Sequence, residues 1–269
     1  MDVSFGQYYP ADSFVHRLDP RTKLLFLILY ITLIFVAKSF VALAVCTAVF
    51  IAVVVASRVP FRSLLRSVKA VLFLLLFTAI LNLFFFSGET VLASWWIIKI
   101  TKEGIIHTIF LAVRLVLLVL SSAVLTLTTT PVALTDGIES LLSPLNKLRF
   151  PVHALALVMS IALRFIPILT EETSRIINAQ KARGGDFESG SLGKRVKALV
   201  PVLIPLLIGA LRRADELGDA MDARCYSGSQ VRTKYKKLKF GKGDAIVLCV
   251  GLGFLAVSVL ARIFLPVII

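Results

Sequence analysis

The sequence predicts an all-α polytopic membrane protein: about five transmembrane helices, with long cytoplasmic or interfacial coupling helices inserted before the last span. Three observations predict it. Of 269 residues, 58% are hydrophobic, above the roughly 45–50% usual in a soluble domain. The net charge is +14, and the basic residues stand in short segments between apolar runs. That placement orients a polytopic protein in a bilayer and points away from nucleic acid. Between 131 and 243, finally, the apolar runs are too short or too interrupted to read as ordinary spans. Three regions follow: an N-terminal transmembrane region of about four spans (1–130), a cytoplasmic-side coupling region (131–243) and a C-terminal transmembrane helix (244–269).

Residues 1–20, MDVSFGQYYPADSFVHRLDP, lack the basic, apolar, small-residue order of a cleaved signal, so the first apolar helix is expected to stay in the membrane. Asp19 is placed to cap it, and Pro20 at the first helical position gives up a donor the helix could not use. Residues 24–56 are apolar apart from Lys38-Ser39. One helix of that length would rise about 50 Å against a hydrocarbon core of about 30 Å. Two spans joined by a turn at Lys38 fit better.

In SRVPFRSLLRSVKA (57–70), Arg58, Arg62, Arg66 and Lys69 share one helical face, and Leu64, Leu65 and Val68 take another. The pattern predicts an interfacial amphipathic helix on the cytoplasmic side. A third span is expected over 70–87, then an outer segment in which Trp95 and Trp96 mark the interface. The fourth, 105–128, carries His107 near its outer end and Arg114 about a third of the way in. His107 is expected to sit at the interface, and Arg114 to snorkel or pair. Arg232, Lys234, Lys236, Lys237, Lys239 and Lys242 precede the last span, 244–265. Most Lys and Arg fall in 1–23, 57–69 and 129–243. The segments expected outside hold Lys38, Lys99, Lys102 and Arg262, so the N-terminus is expected in the cytoplasm and the C-terminus outside.

The coupling region holds two imperfect spans. HALALVMSIALRFIPIL (153–169) contains Arg164 and Pro167, and ALVPVLIPLLIGAL (198–211) contains Pro201 and Pro205. If both crossed, Arg175, Lys181, Arg183, Lys194, Arg195 and Lys197 would face the outer side, against the positive-inside rule. Both helices are therefore expected to lie along or under the membrane, with their polar ends in the cytoplasm. Those ends look like copies: Ala182-Arg183-Gly184 aligns with Ala223-Arg224-Cys225. Small residues recur before each, at Ser174, Asn178 and Ala182 and at Ala210, Ala214 and Gly218. Such stripes let helix backbones approach closely. An arginine before a helix C-cap is common, but two in matching contexts, flanked by alanines, suit two similar sockets on a dimeric partner. A planar five-donor cation fits carboxylates and carbonyls there.

These residues resemble the paired arginine motifs of the transmembrane T component of energy-coupling factor (ECF) transporters. GQYYPADSFVHRLDPRTK and ALRFIPILTEETSRIINAQKARGGDF are also similar to that family. The resemblance implies a non-catalytic scaffold in the cell membrane. It would couple two ABC-type ATPases to a small membrane substrate-binding (S) subunit that captures a vitamin or another micronutrient. The chain would hold no cofactor, since ATP and magnesium would be used by the ATPases. Ala182, Arg183, Gly184, Ala223, Arg224 and Cys225 would dock the ATPases. The apolar faces around Pro167, Pro201 and Pro205 would meet the S subunit. Cys225 departs from the glycine usual at its position, which would leave the helix end to Tyr226-Ser227-Gly228.

Other chemistries find little support. Cys46, Cys225 and Cys249 show neither metal-ligand spacing nor a disulfide framework. His16, His107 and His153 are too scattered for zinc or an acid–base pair, and no carboxylate cluster lies within a span. SLGKRVK (191–197) lacks the upstream glycine of a phosphate loop, and Arg195 stands where Ser or Thr should hold magnesium. The alternative is a stand-alone secondary transporter, which usually keeps acidic residues at mid-membrane depth; the expected spans contain none. An intramembrane enzyme ranks below it.

Overall fold

The computed structural model describes residues 8–85, 91–95, 98–148, 151–187, 191–226 and 238–264. It is an all-α chain with one short two-stranded ribbon. The helices are α1 (Phe14–Arg17), α2 (Pro20–Val36), α3 (Phe40–Ser57), α4 (Phe61–Phe85), α5 (Lys102–Thr128), α6 (Pro131–Leu142), α7 (Val152–Ala182), α8 (Leu192–Ala223) and α9 (Lys242–Phe264). Strands β1 (Val91–Trp95) and β2 (Ile98–Thr101) pair antiparallel between α4 and α5. Two compact units result, residues 1–141 with 237–269, and residues 142–236.

Among the described residues, five helices are long and apolar enough to cross a membrane: Phe40–Ser57, Phe61–Phe84, Lys102–Thr128, Val152–Ala182 and Lys242–Leu260. The chain is a multi-pass membrane protein. The number matches the sequence expectation. α2, at 17 residues, is one residue shorter than the shortest of these, and the 31-residue α7 also qualifies by length and composition.

In the first unit, Asp19 caps α2 by accepting from the Arg21 N–H at 2.9 Å, and Pro20 opens the helix. The turn falls at Lys38, as the sequence predicts, and Ser39 caps α3. Tyr30 Oη donates to the Cys46 carbonyl at 3.0 Å, joining α2 to α3. The core runs through Leu33, Ile34, Leu43, Phe50, Leu64, Phe110, Leu117 and Leu127. Gly137 of α6 comes so close to Pro20 that a Cβ there would stand 3.0 Å from the proline Cβ.

The expected break between an interfacial helix and the third span is absent. α4 is one 25-residue helix carrying both, because no glycine or proline interrupts Phe61–Phe85. Its Arg62, Arg66 and Lys69 are exposed, while Arg58 lies outside it, in a left-handed turn at φ 54°. Arg114 pairs, donating from a terminal guanidinium nitrogen to the Ala37 carbonyl at 2.6 Å. His107 is half-buried near the start of α5. Trp96, Arg232, Lys234, Lys236 and Lys237 lie outside the described residues.

The second unit is built on α7 and α8, of 31 and 32 residues. Pro167, Pro201 and Pro205 sit inside these helices without ending them. All three prolines are exposed, each leaving one backbone carbonyl without its intrahelical partner.

Candidate functional site

In the second unit α7 is apolar at its start, α8 is apolar over 198–211 after a basic first turn, and each helix turns polar and ends on an arginine. In α7, Arg183 is the C-cap residue and Gly184 follows in the left-handed region at φ 86°. The Gly184 N–H donates to the Lys181 carbonyl at 3.0 Å, and the Gly185 N–H to the Gln180 carbonyl at 2.9 Å. These two bonds define a Schellman turn, which satisfies carbonyls that the helix end would otherwise leave open.

α8 ends the same way. Arg224 is the C-cap residue, and Cys225 takes the left-handed position at φ 55°. The Cys225 N–H donates to the Asp222 carbonyl at 2.9 Å, and the Tyr226 N–H to the Met221 carbonyl at 3.0 Å. The expectation that cysteine would hand the cap on to Tyr226-Ser227-Gly228 is thereby corrected. Cys225 closes the helix itself, and Ser227 and Gly228 lie outside the described residues. A non-glycine residue in this region costs about 1–2 kcal/mol, which two hydrogen bonds offset. Glycine and cysteine thus serve one backbone geometry.

Ala182, Arg183, Gly184, Ala223, Arg224 and Cys225 are all exposed. Among the described residues, neither arginine has an ion-pair partner. The two arginines stand exposed at equivalent helix ends with small neighbours.

The small-residue stripes are placed differently from expectation. Ser174, Asn178, Ala182, Ala214 and Gly218 are exposed, and Ala210 is half-buried. A Cβ on Gly218 would meet nothing within 4 Å, and the Ser174 hydroxyl donates back to the Thr170 carbonyl of its own helix at 3.0 Å. The structure does not bring these residues together. The half-buried stripe on α8 instead follows Leu206, Gly209, Arg213, Leu217 and Met221, in helical register.

α7 and α8 meet at Gly209 and Arg213. Glu172 of α7 forms an ion pair with Arg213, and its Oε1 would lie 3.3 Å from a Cβ built on Gly209. The pair lies beside a notch lined also by Ile168, Glu171, Arg175, Ile176 and Ala179. Reading each helix for its own periodicity misses this contact. The signal lies in the offset between the two arginine motifs, 183 and 224, which also sets Glu172 against Arg213.

The first unit holds an apolar crevice of about 520 Å³ between α2, α3, α5 and α9. Lys23 lines its polar end, donating from Nζ to the Thr128 carbonyl at 2.9 Å and the His16 carbonyl at 3.2 Å.

Known proteins resemble this sequence over nearly the whole chain. The CbiQ family, described as cobalt transport protein, matches residues 11–235. The chain is 45% identical over 264 residues to the energy-coupling factor transporter transmembrane protein EcfT of Clostridium kluyveri, covering 98% of each protein. It is 49% identical over 249 residues to the EcfT protein of Brevibacillus brevis, covering 93% of this chain and 94% of the relative. The EcfT protein of Ruminiclostridium cellulolyticum is 47% identical over 246 residues, 91% of this chain and 92% of the relative. A family match over most of the chain and relatives of 45–49% identity along nearly their whole length place it: the chain belongs to the CbiQ/EcfT family, the transmembrane components of energy-coupling factor transporters.

Proposed function

We propose that this protein is the coupling scaffold of an ATP-driven importer for vitamins or other micronutrients and performs no reaction of its own. Arg183 and Arg224 each enter a groove on one of two ABC-type ATPases, which use ATP and magnesium. The apolar stretches of α7 and α8 around Pro167, Pro201 and Pro205, residues 153–169 and 198–211, face a small membrane substrate-binding subunit. Nucleotide-driven movement of the ATPases passes along the two helices to that subunit.

A single observation carries this reading: Arg183 and Arg224 occupy the same cap position of the same Schellman turn, with φ 86° and 55° at the residue after each. Two equivalent cations at two equivalent helix ends suit two copies of one partner better than a single asymmetric one. The proposed topology counts α2 as a span and α7 as none, which keeps the N-terminus and both arginines in the cytoplasm and the C-terminus outside. α7 is long enough to cross. Crossing would carry Arg175, Lys181 and Arg183 outward, against the charge rule that orients the rest of the chain.

The test is purification from membranes in mild detergent, followed by transport in vesicles. The unaltered chain should retain two ATPases and a small membrane protein. Arg183→Ala or Arg224→Ala should weaken ATPase docking by about 2–5 kcal/mol, mostly because partner groups are left buried and unpaired. Full ATPase retention and normal uptake in both variants would sink the proposal.

A further inference from the structure

We infer that Glu172 and Arg213 form the brace that sets how the two arginine-tipped helices meet, and so where their tips stand. The inference deepens the docking proposal for Arg183 and Arg224 and rests on it for its consequence in transport.

The relation between the two residues is one of internal repetition. Glu172 lies 11 residues before Arg183, and Arg213 lies 11 residues before Arg224. When the two helix ends are superposed, Glu172 and Arg213 occupy the same position of the repeat. In the folded chain these equivalent positions touch each other, as an ion pair. Each tip then stands about 16 Å along its helix from the contact, and the two arms are equal.

Equivalent positions that meet face a particular electrostatic condition. Identical charged residues there would repel, whether two glutamates or two arginines. Opposite charges make the same contact attractive, so the two copies can differ in sign here while keeping matched tips. The surroundings strengthen the pairing. The side chains retain 29% and 31% exposure, but Glu172 Oε2, the atom turned to Arg213, is shielded from solvent, as is one terminal nitrogen of the guanidinium. Removing one partner would leave the other's shielded atom without its counter-charge, in a site that water still reaches in part.

Room for the pair comes from Gly209. A Cβ at that position would approach Glu172 Oε1 to 3.3 Å, so a larger side chain would displace the carboxylate. At the equivalent place on α7 stands Ile168, which lines the notch with Arg213. One helix thus supplies bulk and the other space. Glu171 and Arg175 are the other charged residues lining the notch.

The consequence is leverage. A change of about 10° where the helices meet would displace a tip by roughly 3 Å at the end of a 16 Å arm. That shift exceeds what a hydrogen-bonded guanidinium tolerates in a fitted socket. Glu172 and Arg213 are therefore positioning residues for both docking ends, although neither lies at a tip.

The experiment uses the full chain in lipid nanodiscs, with Cys46, Cys225 and Cys249 replaced and spin labels at Asn178 and Asp219, which are exposed and equivalent. The unaltered pair should give one narrow distance distribution. Glu172→Arg should broaden or shift it, Glu172→Gln should do so to a lesser degree, and the exchange Glu172→Arg with Arg213→Glu should narrow it again. A distribution unchanged by single charge reversal would overturn the inference. So would an exchange that fails to restore it while circular dichroism shows intact helices.

A second arm measures uptake per ATP hydrolysed in the reconstituted complex. It should fall severalfold in Glu172→Arg, with the ATPases still bound, and recover in the exchange. Unaltered coupling in the single variant would remove the consequence for transport. If the unaltered chain bound no ATPase, the docking proposal would fail, and the label distances would still decide the brace.

Discussion

Asp244, at the start of the last helix, accepts a hydrogen bond at 2.9 Å from the backbone N–H of Asp19, 225 residues earlier in the chain. The second oxygen of the same carboxylate accepts from the Gly241 N–H at 2.8 Å. One buried side chain thereby closes the start of α9 and holds the cap residue of α2. Asp244→Ala should lower stability by about 3 kcal/mol, since hydrogen bonds to a charged group are the strong ones. Asp244→Asn should lose less, because one carbonyl oxygen remains. The thermal unfolding midpoint of the detergent-solubilised chain checks both, and an unshifted midpoint in the alanine variant refutes the assignment.

Arg114 acts in the same manner at the opposite end of α2. Its guanidinium donates to the Ala37 carbonyl, the C-cap of α2, and lies 4.8 Å from the centre of the Phe110 ring. Arg114→Leu should cost about 2 kcal/mol by removing both the cap and the aromatic contact. A double-mutant cycle with Phe110→Leu should return a coupling of about 1 kcal/mol. Zero coupling would remove Phe110 as a partner and leave the Ala37 carbonyl and the Phe35 ring, 6.0 Å away.

The left-handed residue after each arginine offers a paired test. Cys225→Gly should stabilise the end of α8 by about 1 kcal/mol, by removing the Cβ from a conformation that disfavours it. Gly184→Ala should weaken the end of α7 by a similar amount. A Cβ at Gly184 would meet nothing within 4 Å, so the cost is conformational and not steric crowding. Amide hydrogen exchange at Tyr226 and Gly185, the donors of the long turn bonds, should slow in the first variant and quicken in the second. Opposite trends would mean the turns are not held by these residues.

If the arginines dock as proposed, charge alone will not replace them. Arg183→Lys keeps a cation but loses the planar fork, so it should forfeit about half of the docking energy lost in Arg183→Ala. Titration of ATPase retention against detergent concentration would rank the two variants. Equal retention by lysine and arginine would reduce the contact to a point charge.

Much of the architecture could be read directly from residues. Apolar runs separated by basic segments show a membrane protein, because lipid rewards an uncharged stretch of sufficient length whatever its neighbours. Asp19-Pro20 marks a helix start and Lys38-Ser39 a turn, since capping and chain reversal are local chemistry. The repeated Ala-Arg ending is equally local, and both copies fold into the same turn.

What depends on distant residues was hidden. Nothing near Asp244 announces that its carboxylate will reach Asp19, and nothing near Ala37 announces Arg114. The small-residue stripes at Ser174 and Ala210 are plausible packing faces when each helix is read alone. Tertiary structure turned α8 by about one position, so that Gly209 and Arg213 face α7 instead. Opposite charges at a shared close approach outweigh a preference for small side chains, and only two helices placed together can express that difference. The same applies to continuity: Pro167, Pro201 and Pro205 argue locally for broken helices, yet the long helices run on through them. Sequence by itself thus determined the solvent, the helices and their ends, where the deciding contacts are a few residues apart. The folded chain decided which helix faces meet, where the deciding contacts are a hundred residues apart or span two elements that neither one can anticipate.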